Sequence, residues 1–164
     1  MPPPDFGAAD EESALPVRLL ISTPDVKVDA AVEHVGSKTE GGKTVMDVPK
    51  KYENVAWFDK GYVPGERGNA VIAGHLDSET GKAVFWNLAK LRSNDVVSVV
   101  DAKGKTTRFK VRKVAVFYDE SAPVFEIFGF ADKAHLNLIT CDGEFDRKTK
   151  KYDRRLIVFT DLVE

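Results

Sequence analysis

The chain has 164 residues, of which 43% are hydrophobic and 30% charged, a composition that predicts one domain with enough apolar side chains for a core. Its 24 basic and 26 acidic residues are mixed along the sequence and leave no large basic face, which argues against binding of nucleic acid. A single cysteine excludes an intrachain disulfide and a zinc site built on several thiolates.

The first residues differ in composition from the rest of the chain. Residues 1–14 are rich in proline and acidic side chains and poor in apolar ones, so they are predicted to be a flexible segment ahead of a domain at 15–164. No apolar run of about eighteen residues and no secretory signal pattern is present. We therefore expect the chain as given to be soluble, with any membrane anchor absent from it or removed.

Short β-prone runs begin the predicted domain. Residues 17–22, 26–32 and 43–48 are predicted strands, with glycines marking the turns between them. Residues 69–74 form an apolar run short enough for a buried strand, and His75 stands at its end.

The second half continues the β pattern with few helical signals. Residues 84–91 predict a short helix or turn, and residues 96–116 predict a hairpin. The aromatic segment 117–132 is expected to pack as a short helix rather than to line a substrate channel. Two late strands, 134–141 and 155–163, flank a polar segment. The pattern predicts an all-β fold, a closed or nearly closed barrel with one or two short helices.

The lone cysteine is the first candidate for chemistry. Cys141 is predicted to lie where a buried strand emerges into a polar loop, a setting that favours catalysis over the inert packing usual for cysteine. A thiol that attacks an amide needs a proton-transfer partner, typically histidine. His34 lies in a segment of mixed character, and His135 is too far along the same strand. His75 is the better candidate, although a strand-end histidine often only binds backbone.

An arginine is the third candidate. Acyl transfer develops an oxyanion, which a permanent positive charge stabilises. Arg154 and Arg155 follow Cys141 by thirteen and fourteen residues and open the next apolar run, so either one can belong to a neighbouring strand. Because side chains alternate along a strand, only one of the two can point at Cys141. The alternative is a solvated basic pair.

Several segments together resemble the sortase family, and they occur in the family's order. Val71-Ile-Ala-Gly-His75 is similar to the family's catalytic histidine segment, and Leu138-Ile-Thr-Cys141 to its Thr-Cys strand end. Trp57 and the segments 64–68 and 85–88 also match. The residues that follow His75 and Cys141 look closest to class E and class F enzymes.

The resemblance implies an eight-stranded barrel and a cysteine transpeptidase. Its catalytic residues would be Cys141, His75 and Arg155, with Arg154 as second choice, because Arg155 fits the family's arginine-aliphatic-aliphatic strand pattern. The implied reaction cleaves a Leu-Pro-x-Thr-Gly-like sorting signal between threonine and glycine through a thioester. The product is then joined to an amine of a cell-wall precursor or a pilin.

The resemblance also implies further properties. Thr140, Val71, Leu138 and Phe159 are expected to contact the sorting signal. We expect a monomer at the extracytoplasmic face of the membrane, with no cofactor and no required metal. Two alternatives stay open at this point, a hydrolytic cysteine peptidase and a non-catalytic β-barrel binding module.

Overall fold

A computed structural model describes the backbone of residues 14–118, 121–146 and 151–164, and the side chains of 14–118, 121–140 and 154–164. Residues 1–13 of the predicted flexible segment lie outside this part, so the boundary near residue 15 stays a prediction. Within the described chain, no helix has the length and the apolar character needed to cross a membrane.

The described chain consists mainly of β-strands. In chain order they are β1 (Pro16–Ser22), β2 (Lys27–Val35), β3 (Ser37–Glu40), β4 (Lys43–Met46), β5 (Val55–Phe58), β6 (Gly68–Gly74), β7 (Asp77–Ser78), β8 (Gly81–Lys82), β9 (Val96–Asp101), β10 (Thr106–Tyr118), β11 (Ala134–Asp146) and β12 (Lys151–Leu162). The helical elements are a 3₁₀ turn at Leu88–Lys90 and a short helix, α1, at Val124–Phe128. Both fall in segments where a short helix or turn is expected.

Eight strands close into a barrel in the order β1-β2-β5-β6-β11-β12-β10-β9, which confirms the expected fold. The pairs β2/β5 and β6/β11 are parallel, whereas β11/β12 and β10/β12 are antiparallel. Closure pairs the edges that an open sheet would expose. The hairpins β3–β4 and β7–β8 lie outside the barrel.

The main core fills the barrel interior. Leu136 and Leu138 of β11, and Val158 of β12, are fully buried there, as the two-residue period of a strand predicts. Phe85 and Phe109 are also fully buried in this cluster. Burying a side chain of this size contributes about 1.5–3 kcal/mol, so the interior supplies most of the driving force for folding.

A second apolar cluster covers the outer face of the barrel beside α1. It contains the buried side chains of Val71, Ile127, Ile157 and Phe159. Because β6 is covered on both faces, its sequence is a continuous apolar run and does not alternate.

The structure corrects the sequence-based predictions in two respects. The short strands β3, β5, β7 and β8, of two to four residues each, were not predicted. The polar segment 142–153 was predicted to lie between strands, but β11 continues to Asp146 and β12 already begins at Lys151. Cross-strand hydrogen bonds between the two strands, with a register shift between Asp142 and Phe145, support this polar extension. Cys141 therefore lies within a strand, beyond its pairing with β6.

Candidate active site

The site is built where two parallel strands end their pairing. The last registered pair of β6 and β11 is Ala73 with Ile139. His75 and Cys141 each follow that pair by two residues, so they stand at the same level of neighbouring chains. Paired strands lie about 4.8 Å apart, so the two chain segments leave their last registered pair side by side.

The next strand of the barrel adds the arginines. Cys141 is paired with Arg155 across the antiparallel β11/β12 ladder, and Asp142 is paired with Arg154. Arg155 lines the groove described next. The guanidinium carbon of Arg154 lies 5.9 Å from the centre of the Tyr118 ring instead. The two arginines thus lie in different places, and the choice of Arg155 over Arg154 as the catalytic residue stays a prediction.

A groove of about 680 Å³ opens at this edge of the barrel. Its floor includes Ile139 and Ile157, one side is formed by β3, β4 and the residues up to Pro49, and the other is formed by α1 and Ala122. The apolar side chains that line it are Val45, Met46, Val48, Pro49, Phe58, Ala73, Ala122, Val124, Ile127, Phe128, Ile139 and Ile157. The polar lining residues at the barrel strands are His75, which follows β6, Thr140 of β11 and Arg155 of β12.

His75 is held by three contacts. Its Nε2 lies 2.8 Å from the carbonyl oxygen of Pro49, and its ring centre lies 4.6 Å from that of Tyr52. The backbone N–H of Phe85 donates to the His75 carbonyl at 3.0 Å. Because a carbonyl oxygen only accepts hydrogen bonds, Nε2 carries a hydrogen, and a neutral His75 accepts a proton at Nδ1.

The loop that carries Pro49 and Tyr52 is anchored by a carboxylate. Glu33 accepts hydrogen bonds from the backbone N–H groups of Lys50, at 2.9 Å, and Lys51, at 3.2 Å, and from the side chain of Asn54, at 3.1 Å. Burial raises the pKa of Glu33, but these hydrogen bonds stabilise the carboxylate more, and the pKa lies below its usual value. Glu33 therefore fixes the chain segment that contacts His75.

The residue before His75 has no room for a side chain. A Cβ on Gly74 would lie 2.6 Å from Cδ2 of Phe85 and 2.9 Å from Cγ1 of Val84. Glycine thus allows the end of β6 to pack directly on the fully buried Phe85 ring. The sequence contains both residues, but their contact cannot be predicted without the turn between them.

The residues expected to contact substrate occupy different places. Thr140 lines the groove; its side chain is buried, and its Oγ1 has no hydrogen-bond partner in the described part of the chain. Leu138 does not line the groove, because it points with Leu136 into the barrel. Val71 and Phe159 do not line it either, since both pack in the second apolar cluster.

Sequence reasoning missed most of the residues that line the groove and those that hold His75 and its neighbouring loop. Tyr52, Pro49 and Glu33 act through loop contacts that carry no local pattern. Ile139 and Ile157 had a usable signal, because each alternates with residues of the barrel interior. No three His, Cys, Asp or Glu side chains among those described lie close enough together to hold a metal, and the expectation of no required metal stays a prediction.

Comparisons with known proteins agree on one family. The family model for the Sortase domain matches residues 21–163. A comparison with curated protein sequences finds no match.

Solved structures of similar fold include sortases of two classes. Sortase C-1 of Actinomyces oris is 23% identical with a TM-score of 0.67, over 90% of this chain and 73% of that one. The lid mutant of sortase A from Corynebacterium diphtheriae is 20% identical with a TM-score of 0.67, over 99% and 83%. Sortase C of Clostridium perfringens is 18% identical with a TM-score of 0.64, over 98% and 76%. At these identities the likeness concerns the fold, and the predicted class E or F stays a prediction.

Proposed function

Because the chain belongs to the sortase family, whose members act on surface proteins at the cell surface, we propose that it is a cysteine transpeptidase for a Leu-Pro-x-Thr-Gly-like sorting signal. The observation that carries this proposal is the strand register. It pairs Cys141 with Arg155 and leaves His75 and Cys141 each two residues beyond the last β6/β11 pair, while His75 and Arg155 line an apolar groove.

The first half-reaction would cleave the signal. The Cys141 thiolate attacks the threonine carbonyl carbon, and Arg155 stabilises the negative charge that develops on the carbonyl oxygen. The bond to the glycine nitrogen breaks, and His75 gives its proton to the leaving amine from Nδ1, the ring nitrogen that is not bound to Pro49. The products are a thioester on Cys141 and a free glycine amine.

The second half-reaction would transfer the protein to an acceptor. An amine of a cell-wall precursor or of a pilin attacks the thioester, His75 removes a proton from it, and the Cys141 thiolate leaves. Water gives hydrolysis by the same path. We place this reaction at the extracytoplasmic face of the membrane, where such acceptors are available.

The groove supports a signal that begins with apolar residues. Its lining is largely aliphatic and aromatic, with polar side chains at His75, Thr140 and Arg155 and a second polar group along β3 and β4. Binding sites of this composition take up apolar side chains and use a few polar groups for orientation. A leucine and a proline would pack against the apolar lining, and the scissile threonine carbonyl would lie beside His75 and Arg155.

Mass spectrometry of the intact protein tests the proposal. A panel of Leu-Pro-x-Thr-Gly peptides is expected to give a thioester adduct in the wild type, none in Cys141→Ala, and a strongly reduced yield in His75→Ala. Added amine then separates transfer from hydrolysis, because a transpeptidase forms more ligated product as amine is added. An unchanged product mixture would favour a hydrolytic peptidase. Absence of any Cys141-dependent adduct would refute the proposal and favour a binding module.

A further inference from the structure

Two buried asparagines connect the barrel to α1. Asn137 of β11 is fully buried and Asn69 of β6 is 7% exposed. The side-chain nitrogen of Asn137 donates to Oδ1 of Asn69 at 3.1 Å and to the carbonyl of Ile127 at 2.9 Å. The side-chain nitrogen of Asn69 donates to the carbonyl of Gly129 at 3.0 Å. We call this pair the asparagine clamp.

The clamp binds the part of α1 that a helix leaves unsatisfied. The last carbonyls of a helix have no partner within it, and a helix of five residues is unstable by itself. The clamp satisfies two such carbonyls, those of Ile127 and Gly129, and the backbone N–H of Asn69 donates to Gly129 as well, at 3.0 Å. The position of α1 therefore depends on these two side chains.

α1 is also one side of the groove. Val124, Ile127 and Phe128 line it, opposite β3 and β4. Asn137 precedes the floor residue Ile139 by two positions on the same strand, so one strand carries both the anchor of this side and the floor. The clamp consequently sets the distance between α1 and the floor.

We propose that the asparagine clamp is a positioning device that sets the width of the groove and thereby the enzyme's preference among apolar side chains of the sorting signal. This inference rests on the proposed function. Two apolar residues of similar size would fill this space without the cost of removing amide groups from water. The use of asparagines therefore favours a positioning role over simple packing. Oδ1 of Asn137 has no partner in the described part of the chain, so the donors of this amide are the atoms in use.

The main test variant is Asn137→Leu, which removes both donor hydrogens without adding charge. Asn137→Asp keeps the shape and leaves at most one donor, that of a protonated carboxyl, and decides the question if the leucine variant does not fold. Thr160→Val is the matched control. It deletes a buried hydrogen bond of 2.7 Å from Thr160 of β12 to the carbonyl of Leu136 of β11, which does not involve α1.

Two measurements are made on each variant. Hydrogen exchange of the Ile127 and Gly129 amides, which close α1, is expected to accelerate about tenfold or more in both clamp variants and to stay unchanged in Thr160→Val. In peptide kinetics, KM for the preferred signal is expected to rise about tenfold with kcat within about twofold, and KM for signals with a bulkier apolar residue is expected to rise less. The ratio of kcat/KM for the preferred signal to kcat/KM for the bulkier signal is then expected to fall only in the clamp variants.

Each outcome either supports or contradicts the role proposed for the clamp. Unchanged exchange in α1 and an unchanged preference ratio in folded Asn137→Leu would overturn the inference, as would an equal change of the ratio in Thr160→Val. Failure of the proposed function is distinguishable, because the wild type would then form no adduct with any peptide. The exchange experiment needs no substrate and still tests whether the clamp holds α1.

Discussion

Replacing Gly74 by alanine tests how closely His75 depends on the packing beneath it. The new methyl group would lie 2.6 Å from Cδ2 of Phe85, whereas carbon atoms in contact prefer about 3.5–4.0 Å. The two must therefore separate by roughly 1 Å. Phe85 is fully buried in the main core, so its ring has no exposed space to move into.

The displacement has two consequences. Overpacking of this kind costs about 2–3 kcal/mol of the free energy of unfolding, and for a domain of this size that lowers Tm by roughly 4–12 °C. The Phe85 N–H also donates to the His75 carbonyl, so displacement of Phe85 shifts His75. A misplacement near 1 Å reduces the turnover number on the order of 10- to 100-fold.

Urea unfolding and peptide kinetics measure the two effects in Gly74→Ala. Gly36→Ala is the matched control, because its methyl group would make only an ordinary contact with Cε of Lys60, at 3.6 Å. It is expected to change stability by at most about 1 kcal/mol, in the stabilising direction. Phe85→Leu should reduce the cost of Gly74→Ala, measured as a coupling energy in a double-mutant cycle. Equal stability and activity of Gly74→Ala and Gly36→Ala would refute the reasoning.

Two further changes test the arginines and the loop beside His75. Arg155→Ala is expected to reduce kcat/KM about 10²- to 10³-fold, and Arg154→Ala only a few fold, because Arg155 is the residue paired with Cys141. Equal losses in the peptide assay would contradict the role inferred for Arg155. Glu33→Gln is expected to cost about 1–2 kcal/mol at neutral pH, since the amide accepts fewer hydrogen bonds, and to reduce turnover through His75. The folded pKa of Glu33 lies below the ordinary value of 4.5, so its stabilisation is complete above that pH and is lost as the pH falls through the folded pKa. Unfolding measured from pH 7 to pH 3 should therefore show a weaker pH dependence in Glu33→Gln, and parallel curves would exclude the role given to Glu33.

Much of the fold could be predicted because the main strands carry their own signal. The run that became β6 is apolar and ends in Gly74, and the alternating residues of β10 show one buried face. β5 escaped prediction because four residues are too few for periodicity to be recognised. The polar end of β11 escaped because its pairing with β12, and not its composition, makes it a strand.

The sequence predicted which residues belong to the candidate site, but not which residues surround them. Cys141, His75 and Arg155 stood out by residue type and by their places at the ends of apolar runs. The side of the groove formed by α1 and the loop at Glu33 depend on contacts between distant segments, such as Asn137 with Ile127 and Glu33 with Lys50. Such contacts leave no periodic pattern in the sequence. Leu138 was expected to contact the sorting signal, whereas the alternation of β11 turns it into the barrel interior.

The direction of the strands explains why three residues from distant parts of the chain lie toward one edge of the barrel. β6 and β11 are parallel, so both lead toward the same edge of the barrel, where His75 follows β6 and Cys141 continues β11. β12 is antiparallel to β11, so it enters from that edge and brings its early residue Arg155 opposite Cys141. Had β6 been antiparallel to β11, His75 would stand at the far end of the barrel, about 20 Å from Cys141 along a strand of seven residues. The single parallel contact of β11 is thus the feature of the topology on which the candidate site depends.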